Sequence, residues 1–295
     1  MSKSKKVRQV LGISGGKDSA ALAIYLKQQG NIPEMEYYFS DTCCELDETY
    51  DFIDRLEAYL GKKIVRIGSE SPFKHHLFMM GNMLPSPQQR WCTVKMKLAP
   101  FEKFVGNDDV VSYVGIRADE HRDGYISTKQ NIKPVFPFVH DDITRKDVFR
   151  ILEETVGVPE YYKWRSRSGC YFCFFQRREE WLGLHKYHPK LFQKAIEFEK
   201  VDPVTGEGYT WIAGMTLNEL LERKEKILTL ASIRKSSKEN RTWQERMLEN
   251  GDDIEDHGLL DLQFVITVNL RYFFEVIFYH LNDMAPDTGS FYRCR

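Results

Sequence analysis

A glycine-rich turn near the amino terminus constrains the fold of this chain more than any other feature. An apolar run from Val7 to Ile13 predicts a buried strand, and a helix is predicted to begin at Ser19 and end near Gly30. The turn between them, Ser14–Ser19, reads Ser-Gly-Gly-Lys-Asp-Ser. Glycine lets the backbone approach phosphate oxygens, and the first turn of a helix points free N–H groups at them. The sequence therefore predicts an α/β fold with an anion site at this turn.

The residues of the turn indicate which phosphate it would hold. A Walker A loop has a glycine five positions before its Gly-Lys pair and a Ser or Thr after it, whereas here position 11 is leucine and Asp18 follows Lys17. The six residues instead resemble the PP-loop of ATP pyrophosphatases, which hold the β,γ-pyrophosphate of ATP and cleave between the α and β phosphates. That resemblance implies nucleotide contacts from Ser14, Gly15, Gly16, Lys17, Asp18 and Ser19. The alternative is a turn without a ligand.

Strands and helices alternate after the turn. Strands are predicted at 36–40 and 64–67, with a helix from about Asp47 to Leu60 between them. This βαβαβ order predicts a parallel sheet with helices on both faces, and such sheets bind ligands beyond the carboxyl ends of their strands. Asp41 and Thr42 fall at such an end. Asp41 would contact the ribose or adenine and Thr42 would help to position the nucleotide; alternatively, Asp41 is the N-cap of the next helix.

A later strand is predicted over 110–116 and would bring Gly115 and Arg117 to the same edge of the sheet. A guanidinium suits phosphate binding and stabilises charge that builds up at the α-phosphate. Alternatively, Arg117 and Arg122 pair only with the acidic residues around them, which are Asp119, Glu120 and Asp123. We expect three catalytic residues, with Lys17 and Arg117 offsetting phosphate charge and Asp18 acting through a bound Mg²⁺, which favours carboxylate and phosphate oxygens.

Composition excludes several classes of protein. With 295 residues and 42% hydrophobic content, the chain can bury one large core or two small ones and is not disordered. A net charge of −1 carries no global nucleic-acid signature. The apolar segment 264–281 is interrupted by polar and charged residues, so no membrane span is predicted. We expect a cytoplasmic protein whose six cysteines are reduced, metal-bound or catalytic.

A pair of cysteines with metal-site spacing occurs in the second half of the chain. Cys170 and Cys173 form a Cys-x-x-Cys motif, and Cys92 lies far upstream. These thiols could bind a metal cluster, hold Zn²⁺, or be plain buried thiols.

Taken together, the motifs resemble the phosphoadenosine phosphosulfate (PAPS) reductase family of PP-loop proteins. The matching segments are Ser14–Ser19, Asp41-Thr42, Arg90–Thr93 with Lys97 and Pro100, Gly115–Glu120, 142–148, Arg167–Cys173, and His188–Phe192 with Glu197. In cluster-containing relatives, cysteines at the positions of Cys92, Cys170 and Cys173 bind a [4Fe–4S] cluster. Where assimilatory reductases have a Cys-Cys pair, this chain has one cysteine, so the resemblance leaves the fourth ligand as Cys43, Cys44, Cys294 or an open iron position.

The resemblance leaves several functions open. The segment Arg90–Thr93 is most similar to DNA phosphorothioation enzymes of the DndC and SspD type. This similarity implies an ATP pyrophosphatase that adenylates an acceptor. It also implies a sulfurtransferase that receives its sulfur from a cysteine desulfurase. The alternatives are reduction of PAPS or adenosine phosphosulfate, thiolation of tRNA, and a nucleotide sensor without activity. Reductases use a cysteine in a terminal Glu-Cys-Gly motif, whereas Cys294 lacks that Glu and Gly. We therefore expect DNA rather than tRNA or a sulfonucleotide as the acceptor.

The motifs divide the chain into residues 1–165, a PP-loop nucleotide-binding α/β domain, and residues 166–295, the cysteine-pair segment with a mainly helical carboxyl-terminal region. A final helix over 259–281 is predicted to bury apolar residues against the domain or in a homodimer. Residues 68–90 are predicted to be rich in loops. Thr144, with Asp147 three residues later, is predicted to cap a helix that ends near residue 156, and Thr216 is predicted to cap a helix over 217–230. Basic and aromatic residues around the cysteine pair are the candidate nucleic-acid contacts: Trp164, Arg165, Arg167, Arg177 and Arg178.

Overall fold

The computed structural model of the protein describes residues 7–30, 34–120, 129–202, 205 and 208–239. Its centre is a five-stranded parallel sheet with the order β3-β2-β1-β4-β5. The strands are β1 (Arg8–Gly12), β2 (Met35–Asp41), β3 (Ile64–Gly68), β4 (Val110–Tyr113) and β5 (Ile132–Val135). The strand order reverses between β1 and β4, and the crevice at such a point is where open α/β sheets bind ligands. The predicted α/β fold is confirmed.

One face of the sheet packs against three helices: α1 (Lys17–Gln29), α2 (Asp47–Leu60) and α7 (Arg145–Glu153). Alternate residues of a strand point to opposite faces, and Leu11, Ile13 and Phe39 belong to this core. The start of α7 is the predicted capping box, in which Thr144 and Asp147 satisfy each other's backbone N–H groups.

The opposite face of the sheet packs against one continuous helical segment. It consists of α4 (Trp91–Thr93), a π-helical turn (Val94–Leu98) and α5 (Ala99–Val105). Phe101 stacks on Tyr38 of β2 with 4.9 Å between the ring centroids, and Val10 of β1 belongs to the same cluster. Helices therefore cover both faces, as predicted. The π-turn carries Lys97, and such turns occur often at functional sites.

A second core is built mainly from aromatic rings. Phe73 of α3 (Phe73–Met79) lies 4.2 Å from Phe172, which in turn stacks on Trp211 at 5.2 Å. The helices around this core are α8 (Arg178–Tyr187), α9 (Pro189–Phe198), α10 (Leu217–Glu222) and α11 (Lys224–Glu239). The cluster takes residues from both sides of position 165, so the cysteine-pair segment packs directly against the first part of the chain. The domain boundary stays a prediction.

The remaining described elements are short: α6 (Pro137–His140), a 3₁₀ turn (Glu160–Lys163), and an antiparallel pair formed by β6 (Lys200–Val201) and β7 (Gly208–Tyr209). No helix in the described part of the chain is both long and apolar enough to cross a membrane.

Some boundaries differ from the prediction. Residues 68–90 include α3, whose Phe73 and Leu77 are buried one turn apart on the same side. The helix predicted to start after Thr216 has the expected capping box but is interrupted at Arg223. The helix predicted at 259–281, the homodimer inferred from it, and Arg122, Asp123 and Cys294 lie outside the described residues.

Candidate functional site

The glycine-rich turn joins β1 to α1 as predicted, but α1 begins at Lys17 and not at Ser19, so residues 17–19 belong to the first turn of the helix. The N–H of Ser14 donates to the hydroxyl oxygen of Ser19 at 3.0 Å, and the N–H of Gly16 donates to the Ser14 hydroxyl at 3.3 Å. Gly15 has a left-handed φ of 72°, and a Cβ there would lie 2.4 Å from the methyl group of Thr49. The two serines therefore brace the turn from within, and Gly15 allows its close approach to α2.

A chain of charges runs from the turn to the end of β4. Lys17 Nζ lies 2.9 Å from one carboxylate oxygen of Asp18, and an Arg117 nitrogen lies 2.8 Å from the other. Burial raises the pKa of Asp18, but the positive charges of Lys17 and Arg117 outweigh it, so the pKa lies below its ordinary value. Asp18 is therefore ionised at neutral pH. The structure brings together the three residues expected to be catalytic, and their roles stay predictions.

Arg117 is held by further carboxylates. Its side chain is 7% exposed and contacts Asp119 at 2.8 Å and Glu120 at 2.7 Å. Burial lowers the pKa of the guanidinium, and the charge of Asp18 and of these neighbours raises it overall. Arg117 thus pairs with its acidic neighbours, as the alternative interpretation expected, and it reaches the turn as well. This is possible because β4 pairs with β1, with Tyr113 opposite Leu11.

Gly115 acts as a spacer between β4 and α1. A Cβ at this position would lie 3.0 Å from the carbonyl oxygen of Asp18 and 3.3 Å from the nitrogen of Ser19. Only a residue without a side chain fits this approach of two backbones. The predicted nucleotide contact of Gly115 remains a prediction.

Two tyrosines from the 3₁₀ turn close over the glycine-rich turn. The backbone N–H of Lys17 donates to the hydroxyl oxygen of Tyr162 at 3.0 Å, and the Tyr161 hydroxyl donates to the carbonyl oxygen of Gly15. The Lys17 ammonium also lies 5.6 Å from the centre of the Tyr162 ring. Sequence reasoning missed both tyrosines, since they follow the turn by about half the length of the chain; the available signal was a Tyr-Tyr pair just before the cysteine motif.

The cysteine-pair segment lies directly against the glycine-rich turn and the end of β2, the edge of the sheet where a nucleotide is predicted to bind. A Cβ at Gly16 would meet the Ser168 hydroxyl at 2.5 Å. Cys170 Sγ lies 3.2 Å from the hydroxyl of Thr42, which donates to buried Glu45 at 2.9 Å. The motif at residues 168–173 and the turn at residues 14–19 therefore form one continuous site.

Asp41 has a local structural role at the end of β2. One of its oxygens accepts the N–H of Cys43 and the hydroxyl of Tyr50, both at 2.8 Å. The N-cap of α2 is Leu46, so the interpretation of Asp41 as a helix cap is wrong. The chain makes an Asx turn at Asp41 and runs on in loop conformation before the helix begins. The expected contact of Asp41 with a nucleotide stays a prediction.

Lys97 lies among the candidate metal ligands. Burial lowers the pKa of its ammonium, and the acidic groups of Cys170, Glu45, Cys173 and Cys92 raise it overall. Burial also raises the pKa of the Cys92 thiol to about 11, with Lys97 opposing the shift. Lys97 therefore interacts electrostatically with Cys92, Cys170 and Cys173, although these cysteines come from separate parts of the sequence.

Cys44 adjoins the same group of thiols. Its electrostatic interaction contributes to the raised pKa of Cys170, whose largest cause is burial. Iron–sulfur clusters are held by thiolates, and Cys44, Cys92 and Cys170 border the same aromatic core. Within the described residues, however, no three His, Cys, Asp or Glu side chains are already positioned to hold a metal ion. Cys43 is disulfide-bonded, against the expectation of reduced cysteines, so Cys44 is the member of this pair with a free thiol. The donor set fits a cluster, and Cys44, Cys294 or an open iron position remain the predicted choices for the fourth ligand.

A cavity of about 170 Å³ lies between the sheet and the π-turn. Most of its surface is apolar, and it far exceeds the roughly 10–15 Å³ that one water molecule needs. Hydroxyl groups of β2 and β4 face it, and its lining includes Tyr38, Ser40, Lys97, Phe101, Ser112 and Val114.

Comparison with known proteins shows the family. Residues 8–173 match the phosphoadenosine phosphosulfate reductase domain. The chain belongs to the PAPS reductase family. The matched region contains the glycine-rich turn, Arg117 and the three cysteines expected to bind a cluster. The family resemblance predicted from the motifs is thereby confirmed, while the finer resemblance to phosphorothioation enzymes stays a prediction.

Two uncharacterized proteins of Methanocaldococcus jannaschii are similar to this chain in sequence. MJ0066 is 31% identical over an alignment of 199 residues that covers 63% of this chain and 40% of that protein. MJ0973 is 25% identical over an alignment of 211 residues that covers 68% of this chain and 49% of that protein. The chain thus spans less than half the length of these relatives. A solved PAPS reductase from Candida auris, in a phosphate complex, aligns with a TM-score of 0.43 and 14% identity, covering 56% of this chain and 82% of that one.

Proposed function

We propose that the protein is an ATP pyrophosphatase that adenylates an acceptor so that sulfur can replace the activated oxygen. The observation that carries the proposal is the contact of Lys17 and Arg117 with Asp18 at the crevice between β1 and β4. Two cations and an ionised carboxylate at a helix amino terminus match the needs of a bound triphosphate and its Mg²⁺.

The reaction follows from this arrangement. An acceptor oxygen attacks the α-phosphorus, the bond from the α-phosphorus to the bridging oxygen breaks, and pyrophosphate leaves with that oxygen. Lys17 and the N–H groups of the turn offset charge on the pyrophosphate, and Arg117 offsets charge on the α-phosphate. Asp18 would hold Mg²⁺, which supplies further positive charge when bound. Positioning and electrostatics account for most of the catalysis in this class of reaction.

The cavity beside β2 and β4 would receive the adenine base. It is mainly apolar, and the hydroxyls of Ser40 and Ser112 could bond to ring nitrogens. Tyr38 connects it to the end of β1, two residues before the glycine-rich turn, because its hydroxyl is 2.8 Å from where a Cβ of Gly12 would lie. A base in the cavity and a triphosphate on Ser14–Ser19 would fit one extended nucleotide.

The sulfur step would take place at the thiols. We propose Cys92, Cys170 and Cys173, with Cys44 as the fourth candidate, as ligands of a [4Fe–4S] cluster. Such a cluster would supply a place to hold sulfide for transfer. A cysteine desulfurase would be the sulfur donor, and a dithiol reductant would supply the two electrons that convert its persulfide sulfur to sulfide. The contact of Cys170 with Thr42 supports the coupling of activation and transfer, since it joins the thiols to the nucleotide edge.

The acceptor we favour is a DNA backbone phosphate, with tRNA thiolation as a variant of the same chemistry. The second candidate function is reduction of PAPS or adenosine phosphosulfate, which the matched domain favours. The two functions differ in what happens to ATP. A reductase consumes the sulfonucleotide and thioredoxin and leaves ATP intact.

The test compares both substrates with protein purified without oxygen. One reaction contains ATP, Mg²⁺, sulfide and either DNA or tRNA, and pyrophosphate is measured. The other contains PAPS or adenosine phosphosulfate with reduced thioredoxin, and sulfite is measured. We expect pyrophosphate that depends on nucleic acid and no sulfite. Sulfite formation without ATP cleavage would overturn the proposal in favour of the reductase.

A further inference from the structure

Two of the acid-free segments of this chain, 71–101 and 161–178, contain the three cysteines of the candidate site. The protein has 43 Asp and Glu among 295 residues, yet none occurs in 71–101 or in 161–178. The second segment carries five basic residues, Lys163, Arg165, Arg167, Arg177 and Arg178. It also carries seven aromatic residues, Tyr161, Tyr162, Trp164, Tyr171, Phe172, Phe174 and Phe175. A near-neutral chain that keeps two segments free of carboxylates is suited to a polyanion at those segments.

The two segments meet around the ring of Phe175. The guanidinium carbon of Arg90, from the first segment, lies 5.3 Å from the ring centre. The guanidinium carbon of Arg167, from the second, lies 4.9 Å from it. Phe174 is adjacent, with 4.4 Å between the two ring centroids. These four side chains are all partly exposed, and we name them the Arg–Phe patch.

The Arg–Phe patch borders the candidate site on two sides. Arg167 precedes Ser168, whose hydroxyl lies against Gly16 of the phosphate turn. Phe174 directly follows Cys173, and Arg90 comes two residues before Cys92. An anionic chain on this patch would therefore lie next to both the nucleotide edge and the thiols.

We propose that the Arg–Phe patch binds a single-stranded nucleic acid, with a base stacked on Phe175 and the backbone phosphates at Arg90 and Arg167. This inference rests on the proposed function and names the form of its acceptor. Flat aromatic rings offer a surface to unpaired bases, and planar guanidinium groups suit phosphates. Bases in a duplex present no free face to such a ring. The patch is built from loop residues that precede α4 and α8, without the helix or ribbon that reads a duplex groove.

The experiment measures binding of a fluorescent oligonucleotide by anisotropy over a range of salt concentrations, without ATP. The variants are Phe175→Leu, which keeps an apolar side chain, and Arg90→Gln. The control is Arg150→Gln, an equal charge loss at an exposed position of α7. We expect Phe175→Leu to weaken single-strand binding about tenfold. Arg90→Gln should reduce the slope of log K against log salt by about 0.7, the value for one lost phosphate contact. The control should match the wild type.

Other outcomes would overturn the inference. Equal binding by wild type, Phe175→Leu and Arg90→Gln would exclude the patch, as would tighter binding of the duplex than of the single strand. The inference would also fail if polyglutamate displaced the labelled oligonucleotide as well as an unlabelled single strand does, because the patch would then recognise charge alone. Pyrophosphate release is measured in the same preparations. If the strand binds through the patch and no pyrophosphate forms, the inference stands and the proposed activation fails.

Discussion

The backbone N–H of Lys17 donates to the hydroxyl oxygen of Tyr162 at 3.0 Å. This contact joins the first residue of α1 to the 3₁₀ turn that leads into the cysteine-pair segment. An N–H at this position of a helix is one of the groups that binds anions. The phenol oxygen of Tyr162 therefore occupies an anion-binding position at this helix terminus, which the proposed function assigns to a phosphate oxygen.

Replacing Tyr162 by phenylalanine should tighten ATP binding. Phenylalanine cannot accept the Lys17 N–H, so the nucleotide no longer competes for it, and a gain of about three- to tenfold is expected from one hydrogen bond. Isothermal titration calorimetry with ATP and Mg²⁺ measures the change. Tyr187→Phe, at a half-exposed tyrosine on α8, is the matched control. Weaker binding by Tyr162→Phe would show that the hydroxyl contacts the nucleotide directly.

Asp18→Asn should destabilise the protein at neutral pH by about 1–3 kcal/mol, the contribution of hydrogen bonds to a charged group. The pKa of Asp18 is lowered in the folded state. Its stabilising effect is therefore fully present above the unfolded value of about 3.9 and is lost as pH falls through the folded pKa. Urea unfolding at several pH values should show a wild-type advantage that shrinks below about pH 4. If the difference in unfolding free energy between wild type and Asp18→Asn did not change with pH, the ion pairs of Asp18 with Lys17 and Arg117 would be contradicted.

Gly115→Ala should push the end of β4 away from α1. The new methyl group would lie 3.0 Å from the Asp18 carbonyl oxygen, and neither backbone can give way easily. A loss of about 1–3 kcal/mol of stability is expected, as for other overpacked sites, together with weaker ATP binding. Thermal unfolding and calorimetric titration measure the two effects. Wild-type values for both would show that the approach of these backbones is looser than described.

Cysteine variants test the cluster. Protein prepared without oxygen should contain iron and absorb in the visible range, and Cys170→Ala should lose both while Asp18→Ala keeps them. Cys44→Ala should also lose iron, whereas Cys43→Ala should retain it, because Cys44 has a free thiol and Cys43 is disulfide-bonded. Iron-free wild-type protein would count against the cluster. Loss of iron in Cys43→Ala alone would reassign the fourth ligand.

Local sequence signals predicted the elements that depend on neighbouring residues. The glycine-rich turn, the left-handed Gly30 after α1 and the capping box at Thr144 all use residues a few positions apart. The parallel sheet followed because each strand and its crossover helix lie together in sequence. The interruption after Glu222 was missed, since the apolar pattern continues through it.

The site could be predicted from the sequence only where a single motif contains all the residues that set its geometry. The positions of Tyr162 and Ser168 on the turn depend on packing between distant segments, which no periodicity records. Asp41 was assigned two possible roles because an acidic residue after a strand suits both, and only the position of Leu46 excluded the helix cap. The place of Lys97 among the cysteines likewise depends on the π-turn, which the helical pattern alone did not indicate.

Cleavage of ATP labelled at the γ-phosphate tests the central claim most directly. With Mg²⁺, sulfide and a nucleic acid acceptor, the wild type should release the label as pyrophosphate. Lys17→Met should be slower by a factor of about 10²–10³, as when one charge-stabilising group is removed, while Lys103→Met, at an exposed lysine, should match the wild type. Label released as orthophosphate, or equal rates in Lys17→Met and wild type, would contradict the account.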